Sequence, residues 1–334
     1  MTKSTKQKPV AKPKKKNVCE VPPGKRPKVG LALGAGVARG WAHIGVLQRL
    51  KEEGIAIDFI AGTSIGAVVG GAAASGALDK LELWARDLRE HNFFRFLDLK
   101  FNAGGLFGST RLQEIMVEHF GDKTFEELEI PFEAVACELK SGHEVWLKEG
   151  HVIDAIKASF ALPGVFEPIC HEGRWLVDGA LVNPVPVSLC RAAGCDMVIA
   201  VNLSEDMYGR VRASRKGLDP TGDYGVFSEF MNAPSVVGRV GSQTIFKKLF
   251  KQKNDAPSLF TNMIASLNIL QNRLARARLA GDPPDITIVP RVGHIGLLEF
   301  HRTDELIVEG RRAFDDQFSQ IKDAMTILNE RIRP

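Results

Sequence analysis

From Lys28 onward, short apolar runs alternate with stretches whose apolar residues recur every three to four positions. The run 29–33, VGLAL, is apolar throughout, which reads as a strand buried on both faces rather than one alternating between core and water. A second strand is predicted at 57–61, and further ones at 132–137, 145–147, 175–177, 197–201 and 286–289. Between the first two, 41–53 carries Ile44, Leu47 and Leu50 at helical spacing. Other helices are predicted at 112–120, 152–159, 186–193, 263–279 and 304–327, with a helix rich in Ala and Gly after Ser64. Thr303 is placed to cap the last helix, because a hydroxyl there can accept from the unpaired N–H groups of the first turn. Strands alternating with helices specify an α/β fold with a mostly parallel sheet.

Composition changes this picture only at the edges. Of 334 residues, 44% are hydrophobic and 25% charged, which is ordinary globular usage. No apolar run reaches the roughly 18 residues of a membrane span, and the charged N-terminus lacks the apolar segment of a secretory signal. The net charge of +4 is unevenly spread. Residues 1–28 hold ten basic side chains against Glu20 alone, a net +9, which leaves −5 for the remainder. With Pro9, Pro13, Pro22 and Pro23, residues 1–27 are expected to form a disordered basic tail ahead of a domain spanning 28–330. The tail is either a solubilising extension or a contact for an anionic surface, and nothing in it points to a specific nucleic acid.

Residues 204–260 interrupt the strand–helix rhythm, with nine basic against three acidic side chains between Met207 and Lys253. They are expected to form a flexible excursion from the core. Within it, Ile245, Phe246, Leu249 and Phe250 share a helical face beside Lys247, Lys248 and Lys251. Segment 245–251 therefore suits either packing on the parent domain or contact with a membrane surface. The five cysteines (Cys19, Cys137, Cys170, Cys190, Cys195) form no CxxC pair, so no metal or redox site is expected, and a reducing cytoplasm fits the pattern.

The chemistry centres on Gly62-Thr63-Ser64-Ile65-Gly66, where an apolar strand runs directly into a small-residue helix. A turn this sharp forces a strained backbone on the serine and lifts its hydroxyl out of the sheet. Glycines two before and two after it are needed because a Cβ at either place meets neighbouring backbone. A serine nucleophile also needs donors for the oxyanion formed on attack, and the loop Gly34-Ala35-Gly36-Val37-Ala38-Arg39-Gly40 can present backbone N–H groups. The same loop fails as a dinucleotide fingerprint. Arg39 stands where the third glycine belongs, and the next strand ends in the serine turn rather than an acidic residue. No cofactor is expected. Asp178-Gly179-Ala180, after a strand, either reaches into a site or forms a turn.

Taken together, the Gly34–Gly40 loop, the serine turn and Asp178-Gly179-Ala180 resemble the patatin-like phospholipase family, in the family's order and at compatible spacing. Stretches 158–166 (ASFALPGVF) and 183–186 (NPVP) resemble it too, and the likeness runs from about Lys28 to Asn202 and again from Met263 to Gly310. Ala35 departs from the glycine many members carry, though its N–H remains. The resemblance implies a three-layer α/β sandwich and a Ser64–Asp178 catalytic dyad acting on lipid acyl esters through an acyl-enzyme. It further implies an oxyanion hole from Gly36, Val37, Ala38 and Arg39 with the Ile65 N–H, Arg39 also holding the loop or adding positive potential. The cysteine pattern and the basic tail, rather than the resemblance, point to a cytoplasmic protein able to sit peripherally on a membrane.

A Ser–Asp–His triad is the alternative, since His294 and His301 follow Asp178 in the required order. The remaining histidines, His43 among them, are read as solvated or capping residues. Phe93, Phe94, Phe96, Phe101 and Phe107 are assigned to core before acyl channel. A non-lipid esterase or thioesterase, or a membrane-bound scaffold on the same fold, are the competing functions. The presence of serine, aspartate and glycine loop together weighs against the scaffold.

Overall fold

The computed structural model describes residues 26–88, 98–99, 107–108, 110–206 and 259–332. In chain order its strands are β1 (Val29–Leu33), β2 (Phe59–Thr63), β3 (Asp98–Leu99), β4 (Phe107–Gly108), β5 (Phe132–Glu138), β6 (Glu144–Leu147), β7 (Ile169–His171), β8 (Arg174–Asp178), β9 (Met197–Val201) and β10 (Ile286–Ile288). Its α-helices are α1 (Ala42–Glu52), α2 (Ile65–Ala74), α3 (Leu78–Asp87), α4 (Thr110–Phe120), α5 (Val152–Ser159), α6 (Val187–Ala192), α7 (Leu259–Gly281) and α8 (Thr303–Ile332).

The main sheet runs β10-β9-β1-β2-β5-β8-β7, with β6 also paired to β5, while β3 and β4 form a separate pair. From β10 to β5 neighbouring strands are parallel; β6, β8 and β7 add antiparallel pairings. On one face Leu31, Leu33, Ile60, Ala134, Leu176 and Ile199 join the larger core cluster, which α1, α2, α5 and α8 cover. On the other, Ala32, Ala61, Val135 and Val198 meet Leu189 of α6 and Ala275 of α7. The result is the three-layer α/β sandwich, and β1 and β9, buried at every position, are its spine.

The second strand lies two residues later than its apolar run suggests, because Gly62 and Thr63 still pair with Ala134 and Val135. Helix α3 was not legible, since only Leu81 and Ala85 of its ten residues are buried. Thr303 does not cap α8: its hydroxyl donates to the carbonyls of Ala85, at 2.7 Å, and Phe300, at 2.9 Å. Residues 204–206 belong to the core connection, where the Asp206 carboxylate accepts the Gly293 N–H at 2.8 Å. Residues 1–25 and 207–258, which hold most of the basic tail and the amphipathic segment, lie outside the described residues.

Helices α1 and α8 cross at backbone distance. A Cβ on Gly45 would strike the Ile307 carbonyl, and one on Gly310 the Ala42 carbonyl. Gly310→Ala is therefore expected to force the helices apart and cost about 1–3 kcal/mol, as overpacking does in well-filled cores. Urea unfolding would read this as a lower midpoint at unchanged slope; an unchanged midpoint would show that the crossing yields freely.

Candidate active site

One edge of β5 explains how residues 114 apart in the chain come into contact. Residues 134–137 of β5 pair with β6, 132–135 with β2, and 136–138 with β8. The pairing with β6 overlaps both others, so β2 and β8 must share the opposite edge. There β2 ends with Thr63 beside Val135, while β8, running the other way, ends with Asp178 beside Ala136. The two strand ends face one another. Beyond them the Ser64 hydroxyl donates to Asp178 Oδ2 at 2.6 Å, with both residues buried.

Ser64 sits at φ 57°, ψ −124°, on the turn from β2 into α2. Side chains rarely adopt such positive φ, and holding one there costs on the order of 1–3 kcal/mol. The glycines make the turn possible: a Cβ on Gly66 would strike the Leu33 carbonyl, and one on Gly62 the Ala67 backbone. The Ser64 N–H donates to the buried Ser159 Oγ at 2.9 Å, and Thr63 Oγ1 donates to the Asn183 carbonyl at 2.8 Å. On the other side, the Asp178 N–H donates to the Ala161 carbonyl at 2.9 Å, and Oδ1 accepts the Ala180 N–H at 2.8 Å. Burial pushes the Asp178 carboxyl up to about 6, against the opposing pull of the bonds from Ser64 and Ala180.

The glycine loop lies against the serine turn, since a Cβ on Gly40 would run into the Ile65 side chain. Its own amides are mostly committed. Gly34 N–H donates to Val201, Ala35 to Pro184, Ala38 to Leu297 and Arg39 to Gly36, all to carbonyls at 2.9–3.2 Å. Of the donors expected for the oxyanion, Ala38 and Arg39 are thus occupied, whereas no acceptor is found for the N–H groups of Gly36, Val37 or Ile65 among the described residues. Val37 has φ 53°, a rare conformation for a β-branched residue, so two of the three positive-φ non-glycine residues described belong to this site. Arg39 is buried and its Nε donates to the Ile295 carbonyl at 2.7 Å, which ties the loop to the segment before α8.

His43 corrects its expected role as a solvated or capping residue. It is fully buried, and its Nε2 lies 2.8 Å from the Gly34 carbonyl. A carbonyl only accepts, so that nitrogen carries the proton and braces the loop; burial lowers the pKa to about 4, keeping the ring neutral. The signal missed in the sequence is position: His43 lies in the first turn of the helix entered from the loop. Neither histidine of the triad alternative is bonded to Asp178. His294 pairs with Glu305 at 2.7 Å, and His301 lies in the short turn before α8. Beside the loop, a cleft is walled by the apolar Val37, Leu162, Ile264 and Leu297 and by the polar Asn268 and Gln271, among others. Phe93, Phe94, Phe96 and Phe101 lie outside the described residues, and Phe107 is described only as backbone in β4.

A serine on a strained strand-to-helix turn, bonded to a buried carboxylate, is an arrangement suited to nucleophilic acyl chemistry. Comparison with known proteins agrees: residues 31–191 match the family model for patatin-like phospholipase. The chain is 36% identical over 326 residues to an uncharacterized NTE family protein of Mycobacterium tuberculosis, covering 85% of this chain and 89% of that one. It is 30% identical over 302 residues to lysophospholipase nte1 of Aspergillus fumigatus, covering 87% of this chain but 18% of that much longer protein. Mouse patatin-like phospholipase domain-containing protein 6 is 31% identical over 182 residues, 52% of this chain and 13% of its own. This chain belongs to the patatin-like phospholipase family.

The raised pKa of Asp178 has a consequence for stability. An aspartate in the unfolded chain titrates near 4, whereas in the fold it holds its proton to about pH 6. Stability from this group is therefore complete below pH ~4, is lost as pH rises to ~6, and stays lost above; the shift is worth roughly 2–3 kcal/mol. Asp178→Asn stays neutral; its Oδ1 can still accept the Ala180 N–H, while its Nδ2 would donate to Ser64 Oγ and so reverse that bond. It is expected to exceed the parent in stability above pH 6 and to lose the pH dependence between 4 and 6. Denaturant melts at pH 4 and pH 8 check this, and equal stabilities at pH 8 would refute it.

Proposed function

We propose that this chain is a serine acyl-hydrolase that cleaves lipid acyl esters, of the phospholipid or lysophospholipid kind, by a Ser64–Asp178 dyad. The observation that carries the reading is the 2.6 Å hydrogen bond from the Ser64 hydroxyl to the buried Asp178 carboxylate. The lysophospholipase name of the fungal relative supports the substrate class. In the cleft beside the glycine loop, Leu162, Ile264, Leu267 and Leu297 offer apolar contacts for an acyl chain, and Ser204, Asn268 and Gln271 polar ones for the rest of a lipid.

In this mechanism Ser64 Oγ attacks the ester carbonyl as its proton passes to Asp178 Oδ2. Oδ1, held by the Ala180 N–H, keeps the carboxylate aimed. The oxyanion takes hydrogen bonds from Gly36 and Val37 N–H, with Ile65 as a third donor, each worth roughly 3 kcal/mol in comparable sites. Asp178 returns the proton to the departing alcohol; water then gives a proton to the same carboxylate as its oxygen attacks the acyl carbon, and Asp178 passes that proton to Ser64 Oγ as the fatty acid leaves. A carboxylate titrating near 6 is a better base than an ordinary one, yet is ionised at pH 7 and above.

Ser64→Ala is expected to abolish hydrolysis of a short-chain ester and labelling by a fluorophosphonate, and Asp178→Asn to lower kcat by at least 100-fold. His294→Ala should stay within about threefold of the parent. For the parent, kcat/KM should fall on the acid side with an apparent pKa near 6. A Ser64→Ala protein that still hydrolyses ester, or a His294→Ala protein as dead as it, would overturn the dyad.

The membrane reading rests on charge. Residues 1–28, at net +9, together with segment 245–251, would hold the enzyme on anionic lipid, since each basic residue near such a surface contributes up to ~1 kcal/mol. No helix among the described residues is long and apolar enough to cross a bilayer. The full chain should co-sediment with anionic vesicles at low salt and lose binding on deletion of 1–27 or in high salt. Equal sedimentation of both proteins would remove the tail from this role.

A further inference from the structure

The pairing of Ser64 with Asp178 raises the question of what sets their separation, since the two lie on different strands and the ladder of β5 ends its hold on β2 at Thr63. The N–H of Ser64 is the first to leave that ladder, and at φ 57° it needs an acceptor that no strand supplies. Ser159 supplies it: the last residue of α5, wholly buried, it receives the Ser64 N–H on its hydroxyl oxygen at 2.9 Å. Two residues on, the Ala161 carbonyl receives the N–H of Asp178 at 2.9 Å. Residues 159–161 thus hold the main chain of the nucleophile with one end and the main chain of the base with the other.

We infer that Ser159 is a positioning residue for the reaction: it holds the nucleophile's backbone in register with Asp178, without itself touching the substrate. The inference rests on the dyad reading above. Its chemical basis is that a buried N–H stripped of its acceptor carries a desolvation penalty, which the turn can relieve only by shifting. In this turn such a change rotates the serine whose hydroxyl must stay aligned with Oδ2. Misalignment of about 1 Å in a reacting group is enough for losses near 100-fold. The effect falls on kcat, because the cleft walls that would hold an acyl chain do not include Ser159.

The test compares the full chain with Ser159→Ala and Ser159→Cys, whose sulfur accepts only weakly, alongside Ser64→Ala. Thermal melts, steady-state hydrolysis of a short-chain ester and the rate of fluorophosphonate labelling are measured for each. Ser159→Ala is expected to melt cooperatively, to lose 10- to 100-fold in kcat with KM within threefold, and to label more slowly by a similar factor. Ser159→Cys should fall between it and the parent, and it carries the test if the alanine variant does not fold. A purely structural role would lower the melting temperature without slowing labelling of the folded protein. Parental kcat in either folded variant, or a loss carried by KM alone, overturns the positioning role while leaving the dyad standing. Ester hydrolysis by Ser64→Ala would bring down the dyad and this inference with it.

Discussion

The site depends on two strands ending head to head along a single edge of β5. Had β8 paired with the other edge, Asp178 would face away from Ser64 across the sheet, and no local adjustment could bring the carboxylate to the hydroxyl. Because β6 takes that other edge, β2 and β8 are confined to one line, and the gap between Thr63 and Asp178 is fixed by the register of β5. Everything nearby serves this junction. Gly62 and Gly66 let the chain turn within backbone contact of α2 and β1, and a Cβ on Gly179 would meet the Val135 carbonyl at the same joint.

The electrostatics follow from the same geometry. A carboxylate placed in the seam between two strands is cut off from water, and the two hydrogen bonds it receives only partly compensate. That deficit raises its basicity. The strain at Ser64 and Val37 belongs to the same pattern, in which a rigid sheet holds unfavourable local states in place. His43 contributes by remaining neutral: a charged imidazole could not be accommodated where its ring is buried, and its donated proton fixes the carbonyl at the root of the glycine loop.

The sequence disclosed some of these features and concealed others for definite reasons. β1 and β9 were legible to the residue because strands buried on both faces are uniformly apolar. Ser64 and the loop were legible because turns that tight restrict which residues can stand there. Thr63 escaped the strand pattern because its polar side chain is satisfied only by Asn183, 120 residues away. Which loop amides are available could not be read at all, since Ala38 is taken up by Leu297, 259 residues further along the chain. Likewise, the sequence of α5 announced a helix but not that its final hydroxyl would accept the Ser64 N–H.

The ties on the glycine loop also say something about time. Ser64 is made early in synthesis, but the carbonyls that secure the loop beside it belong to Pro184, Val201, Ile295 and Leu297. A chain clipped before residue 295 would keep the ties to Pro184 and Val201 but lose those that Ala38 and Arg39 make to Leu297 and Ile295, so the far half of the loop would lose its hold on the segment after β10. The loop beside Ser64 therefore reaches its final shape only once the segment that follows β10 has docked, however early the serine turn itself can form.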